Sequence, residues 1–351
     1  MNRHWVKIAA ASLAVVAAQA AATPQVPLPA EAAYKSTASG IEFAPLSGFS
    51  RRVTLFGDTG LDIGIDYRSD SANEEITFFL FRRVAGDAAL WLDRVGKVVM
   101  GQDRLGEVSP ALAPFPLATP GGGGGLGVAY SLTGKQLKST GAAVFASADW
   151  YVAIRATSAA KSPEELKAWM ASAATSVRWP ADQQPLAAPA PIQPCSKPVG
   201  GSDKARFHVP ALSALLVKAA LAHNVENERK EKIADPLKTG SWCVDSDLSP
   251  MASVYRHPDD RKSYFLAVAD AGRGYTVGEE PLMAVLDPAE GQSYFVTWID
   301  LDHVDGYAAF DRLPAPAIVQ SFVKGRAYAF RASTWGTESN ISFNADVANK
   351  K

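Results

Sequence analysis

The sequence predicts an α+β protein of two domains. The first is an antiparallel sheet flanked by helices, and the second is a mostly antiparallel β domain with an N-terminal helix. Three observations lead there. Short apolar runs, alternating or continuous, are bounded by Gly, Pro, Asp and Asn, which is the texture of strands. Stripes at helical spacing carry recognisable start signals. Between Trp179 and Pro198, six prolines alternate with Ala and Gln, the composition of a stiff, extended linker.

The chain has 351 residues, 47% of them hydrophobic and 20% charged, ordinary globular material with enough apolar mass for two cores. Its first residues read as a secretory leader. Arg3 and Lys7 precede an apolar run from Ile8 to Ala18, and Ala18-Gln19-Ala20 and Ala20-Ala21-Ala22 are small-x-small cleavage sites. The run is shorter than the roughly 20 residues a spanning helix needs, which favours a leader over an uncleaved anchor. No cysteine follows it, so a lipid anchor is not expected. The boundaries that result are a signal peptide at 1–22, a Pro/Ala-rich spacer at 23–33, a first domain at 34–180, a linker at 181–194 and a second domain at 195–345. The expected location is periplasmic or secreted, with no stable membrane span in the mature chain.

In the first domain, Leu61, Ile63, Ile65 and Tyr67 alternate with Asp62, Gly64 and Asp66, as in a strand with one wet face. Ile76 to Phe81 is apolar on both faces, as in a covered central strand. Asp87 then caps a helix that carries Ala88, Trp91, Leu92, Val95 and Val99 on one stripe and ends at Gly101. Pro110, Pro114, Pro116 and Pro120 suggest a loop, and strands follow at Leu126 to Leu132 and Ala142 to Ala156. A second helix starts at Ser162 with Pro163 at its first position and Glu165 completing a capping box; Leu166, Trp169, Met170, Ala173 and Val177 form its packing stripe.

Gly40-Ile41-Glu42-Phe43, Ile76 to Arg83, and Ser162 to Pro180 ending in Val177-Arg178-Trp179-Pro180 carry a resemblance. Over about residues 38 to 180 the chain resembles the PsbP-like sandwich, in which helices cover both faces of an antiparallel sheet. The whole chain is similar to exported proteins of proteobacteria that begin with such a domain. The resemblance implies a binding or assembly module, because fold alone does not fix chemistry.

The second domain opens at Cys195. Pro210 starts a helix with Leu212, Leu215, Leu216, Ala219, Ala220 and His223 on a broad face, and Glu226 to Lys232 reads as its solvated end. Strands are expected at Val254-Tyr255, Tyr264 to Ala269, Ala284 to Leu286, Tyr294 to Leu301, Tyr307 to Phe310 and Arg326 to Ser333. Cys195 and Cys243 make an even pair in an exported chain, which favours a disulfide over a reactive thiol. The bridge would close a 49-residue loop, worth at most roughly 4 kcal/mol.

Motifs for chemistry are sparse. Gly121 to Gly125 lacks the strand, helix and Lys-Ser/Thr of a phosphate loop and reads as a flexible connection or flap. Asp300, Asp302 and Asp305, followed by Gly306, form an acidic turn. It is either solvated or a candidate site for a divalent cation, the only cofactor suggested. His208, His223, His257 and His303 show no zinc-protease spacing, and no nucleophile elbow is present. Trp242, Phe295, Trp298, Tyr307 and Trp335 are core or the wall of a groove. The formal charge of −1 falls to −3 once a leader carrying Arg3 and Lys7 and no acids is removed. That balance excludes a basic nucleic-acid footprint. The expected function is a non-enzymatic binding or assembly module of the cell envelope, its partner an envelope protein or a small ligand. The alternative is a hydrolase acting on envelope material, with its site in the second domain.

Overall fold

The computed structural model describes residues 25–26, 29, 31–69, 73–121, 123–183, 186–230, 237–238, 240–280, 292–336 and 340–348. The expected leader and the strand expected at Ala284 to Leu286 lie outside the described residues. In the first half the elements are β1 (Gln25–Val26), β2 (Tyr34–Lys35), β3 (Glu42–Phe43), β4 (Ser50–Leu55), β5 (Asp62–Ser69), β6 (Glu74–Arg82) and α1 (Ala88–Met100). Then come β7 (Glu107–Ala118), β8 (Gly124–Thr133), β9 (Ser139–Ala146), β10 (Trp150–Ser158), α2 (Pro163–Ala174) and β11 (Val177–Arg178). Eight strands form one antiparallel sheet in the order β1-β4-β5-β6-β10-β9-β8-β7, and β11-β3-β2 form a small second sheet.

The second half holds β12 (Gln193–Pro194), β13 (Phe207–His208), α3 (Leu212–Lys230), β14 (Cys243–Ser249), β15 (Ala252–Arg256), β16 (Ser263–Val268) and β17 (Arg273–Glu279). β18 (Tyr294–Ile299), β19 (His303–Phe310), α4 (Pro316–Val323), β20 (Phe330–Ser333), β21 (Ile341–Phe343) and α5 (Ala345–Ala348) follow. Its strands make a third sheet, antiparallel except where β12 pairs with β14. The Cys195–Cys243 disulfide is formed, next to that parallel pair. Among the described residues no helix is long and apolar enough to cross a membrane.

The expected α+β class, with an antiparallel sheet flanked by helices, is corrected. Strand outweighs helix, 43% to 18%, in three sheets with few helices. One face of the first sheet meets α2 through Leu166 and Met170 and meets the small sheet through Phe43, which packs edge-on against Phe78. The other face meets α1, and α1 is not a flanking helix. Nine of its residues are buried, including Ala89, Leu90, Arg94 and Gly96 outside the expected stripe. A helix buried nearly all round needs cover on both sides, and here the second cover is the third sheet. Trp91 packs edge-on against Phe81 of the first sheet and Phe265 of the third. One buried apolar cluster therefore spans both halves, from Ile41 to Val304.

Two smaller expectations also change. Pro110, Pro114 and Pro116 lie in β7, an edge strand, where a missing N–H costs no ladder bond and the prolines blunt an open edge. The glycine run is explained by close approach. A Cβ on Gly123 would sit 2.4 Å from the Leu186 carbonyl oxygen, and one on Gly124 would sit 2.6 Å from the Ala188 nitrogen. The proline-rich connection is thus laid along the first sheet, where Gly124 N donates to Leu186 O.

Polar groups fix the junction. Arg94 is fully buried; its Nε donates to the Ala269 carbonyl at 3.0 Å, its Nη2 to the Pro250 carbonyl at 2.8 Å and its Nη1 to Ser253 Oγ. Ala269 has φ 54°, a left-handed conformation that costs an alanine about 1 kcal/mol. Its N–H to Met251 and its carbonyl from Arg94 hold it there. Arg94→Ala strands three acceptors in a dry interface and should cost about 3 to 5 kcal/mol. Urea unfolding read by far-UV circular dichroism and by tryptophan fluorescence checks this: the midpoint falls, and in the wild type both probes give one coincident transition because the core is shared.

Candidate functional site

α1 and α3 cover different stretches of the same face of the third sheet. Tyr255, Phe265 and Ala267 belong to the cluster around α1. Phe295, Ala309, Phe330 and Ala332 pack with Ala214, Leu215 and Ala219 of α3. Between them the inward positions are small: Thr276 pairs with Thr297, and Gly278 with Phe295. The space left is a cavity of about 500 Å³. Trp242, Phe265 and Phe295 give it aromatic walls, and Lys218, His257, Asp260, Glu279 and Glu280 give it polar ones.

Each wall residue is positioned by local structure. Trp242 precedes the disulfide cysteine at the start of β14 and is 7% exposed; its indole Nε1 is buried, with no hydrogen-bond partner among the described residues. His257 lies 4.4 Å from the Trp242 ring, centroid to centroid, with Nδ1 3.0 Å from the Ser241 carbonyl oxygen. Arg256, 1% exposed, binds Asp245 and the carbonyls of His257, Pro258 and Asp260, fixing that turn. Lys218 extends from the buried side of α3, contacts the Glu280 carboxylate and lies 5.6 Å from the Phe295 ring centroid. Burial lowers its pKa to about 8, while the carboxylate beside it favours the charged form.

The acidic turn is elsewhere, and its carboxylates are engaged by arginines and a histidine. Asp300 accepts from Arg273 Nε at 2.7 Å and from Trp298 Nε1 at 3.0 Å. Arg273 also reaches Asp62 at 2.7 Å, so this pair crosses between the halves. Asp302 binds His303, and Asp305 takes a two-pronged bond from Arg331 at 2.6 and 2.7 Å. Among the described residues no group of three or more His, Cys, Asp or Glu side chains is arranged to hold a metal ion. His208 sits on β13 with Nε2 3.3 Å from Ser293 Oγ, and the His223 side chain lies outside the described residues. Tyr294, Phe310 and Phe330 are core, whereas Trp242 and Phe295 reach the cavity. Sequence reading passed over Lys218. The available signal was a cation within an otherwise apolar stripe of Ala214, Leu215 and Ala219.

No family model and no curated protein matches the chain. Among solved structures it is similar to the solution structure of cyanobacterial PsbP (CyanoP) from Synechocystis sp. PCC 6803. The identity is 16% and the TM-score 0.33, covering 44% of this chain and 95% of that one.

His303 gives the turn a pH signature. Burial works to lower its pKa, but hydrogen bonds to Asp302 and Asp305 outweigh burial and raise it from 6.5 to about 9. A pKa raised on folding stabilises the fold fully below about pH 6.5 and ceases to do so as pH rises through about 9. Between pH 6.5 and 9.5 the urea midpoint of the wild type should decline, and that of His303→Gln should decline less. Parallel profiles would remove His303 as the source.

Proposed function

We propose that the chain is an exported, non-enzymatic binding module of the cell envelope that holds a small ligand in the cavity of the third sheet. The observation that carries this reading is the cavity itself. It has a volume in the range of small-molecule sites, aromatic walls, a few polar groups and a buried indole N–H with no partner among the described residues. A buried donor without an acceptor costs about 1 to 3 kcal/mol, and a ligand acceptor would recover that. The leader-like segment and the disulfide support an oxidising compartment outside the cytoplasm. The hydrolase alternative has less behind it, because the carboxylates of the acidic turn are tied to Arg273, His303 and Arg331.

A ligand that binds only the folded state raises stability by about 2.7 kcal/mol at a hundred times its Kd. Thermal shift of the purified protein against a panel of small ring-bearing metabolites should give a rise in Tm for at least one compound. Thr276→Phe, which fills the cavity floor, should abolish that rise. A panel without any shift, or equal shifts in both proteins, would count against the cavity.

A further inference from the structure

Lys218 joins three features that a simple surface lysine lacks. It lines the cavity while only 23% of the side chain is exposed. A carboxylate, Glu280, touches it, and an aromatic ring, Phe295, lies beside it. An ammonium and a carboxylate in contact in apolar surroundings can exchange a proton and become a neutral amine and a carboxylic acid. The amine is then a nucleophile, and the acid stands ready to return the proton.

We propose that Lys218 forms an imine with its ligand and that this ligand is a small, uncharged aromatic aldehyde. The inference deepens the binding reading above and rests on it. The aromatic part follows from Trp242, Phe265 and Phe295. Absence of negative charge follows from the balance of the wall: Lys218 and Arg256 are already paired with Glu280 and Asp245, which leaves Asp260 and Glu279 to repel an anion. The Lys218 nitrogen lone pair adds to the carbonyl carbon, and the nitrogen loses its extra proton as the carbonyl oxygen gains one. Glu280 then protonates the carbinolamine hydroxyl, the C–O bond breaks, and water leaves. Loss of the remaining nitrogen proton to the Glu280 carboxylate completes the neutral imine. One amine and one aldehyde give one imine and one water, with no change of oxidation state.

The probe is 4-methoxybenzaldehyde, uncharged at the assay pH, incubated with the folded protein at pH 7.5 and trapped with sodium cyanoborohydride, with peptide mass spectrometry as readout. Burial lowers the Lys218 pKa, which raises its free-amine fraction at that pH over that of an exposed lysine. Labelling should therefore concentrate on Lys218 relative to Lys262, whose side chain is 74% exposed. It should vanish in Lys218→Arg and slow in Glu280→Gln, each first shown to be folded by circular dichroism. Thermal shift with the same probe, without the reductant, reads occupancy independently. A shift without an adduct on Lys218 overturns the imine and leaves the binding cavity standing. Labelling spread evenly over surface lysines overturns the imine as well. Absence of both shift and adduct overturns the aldehyde proposal, while the metabolite panel separately decides the cavity.

Discussion

Burial of α1 on both sides is the constraint from which the rest of the structure follows. A 13-residue helix with Trp91 and Arg94 both fully buried cannot be covered by one sheet. Each side chain asks for a different partner. Trp91 needs apolar surface on two sides and finds Phe81 and Phe265. Arg94 needs acceptors, and the carbonyls of Pro250 and Ala269 together with Ser253 provide them. Carbonyl acceptors let a guanidinium be buried without a matching buried carboxylate, although its charge still carries a desolvation cost. That cost is accepted here where the two halves must register.

Three other junction contacts repeat the solution with the same residue type. Arg82 donates to the Leu301 carbonyl at 2.7 Å and stacks on Trp335 at 4.9 Å. Arg155 pairs with Asp270, and Arg273 answers from the other half by bridging Asp62 and Asp300. Planar guanidinium groups suit this role, since each offers several donors in fixed directions. The acidic turn at 300–305 makes sense in that setting. Its alternating carboxylates match arginines and a histidine, so the same pattern that suggested cation ligation serves an ionic seam.

Local elements were legible in the sequence because local chemistry decides them. The Asp87 cap and the Ser162–Glu165 capping box correspond to structure; the run across Leu61 to Tyr67 does hold a strand, but Asp62 and Gly64 of its expected wet face are buried. What was not legible depends on which surfaces meet. The stripe from Ala88 to Val99 marks one buried side of α1, but nothing within that window announces a second sheet over Arg94. Three prolines between 110 and 116 look like a loop until an edge position removes their penalty. The continuous Ala142 to Ala156 run hides a turn at 147–149, closed by Ser147 N donating to the Trp150 carbonyl. Lys218 was hidden for a related reason: a lone cation among Leu215, Leu216, Val217, Ala219 and Ala220 reads as a solvated position, and its burial comes from the sheet beneath α3.

The cavity is a consequence of the same geometry. Two helices of different origin cover one sheet face, and the strip between them carries Thr276, Gly278 and Thr297, too small to close the gap. Whether such a gap is a packing fault or a site depends on how its walls are held. The wall at Trp242 is held firmly. Cys243 ties the adjacent position covalently to Cys195, and Arg256 gathers the 257–260 turn through three carbonyls while pairing with Asp245. A void between loosely held side chains would collapse by rotamer changes, with little left to bind. Here the disulfide and a buried guanidinium fix the backbone on one side and the Lys218–Glu280 pair spans the other, so the open volume is preorganised and less binding energy goes into ordering it.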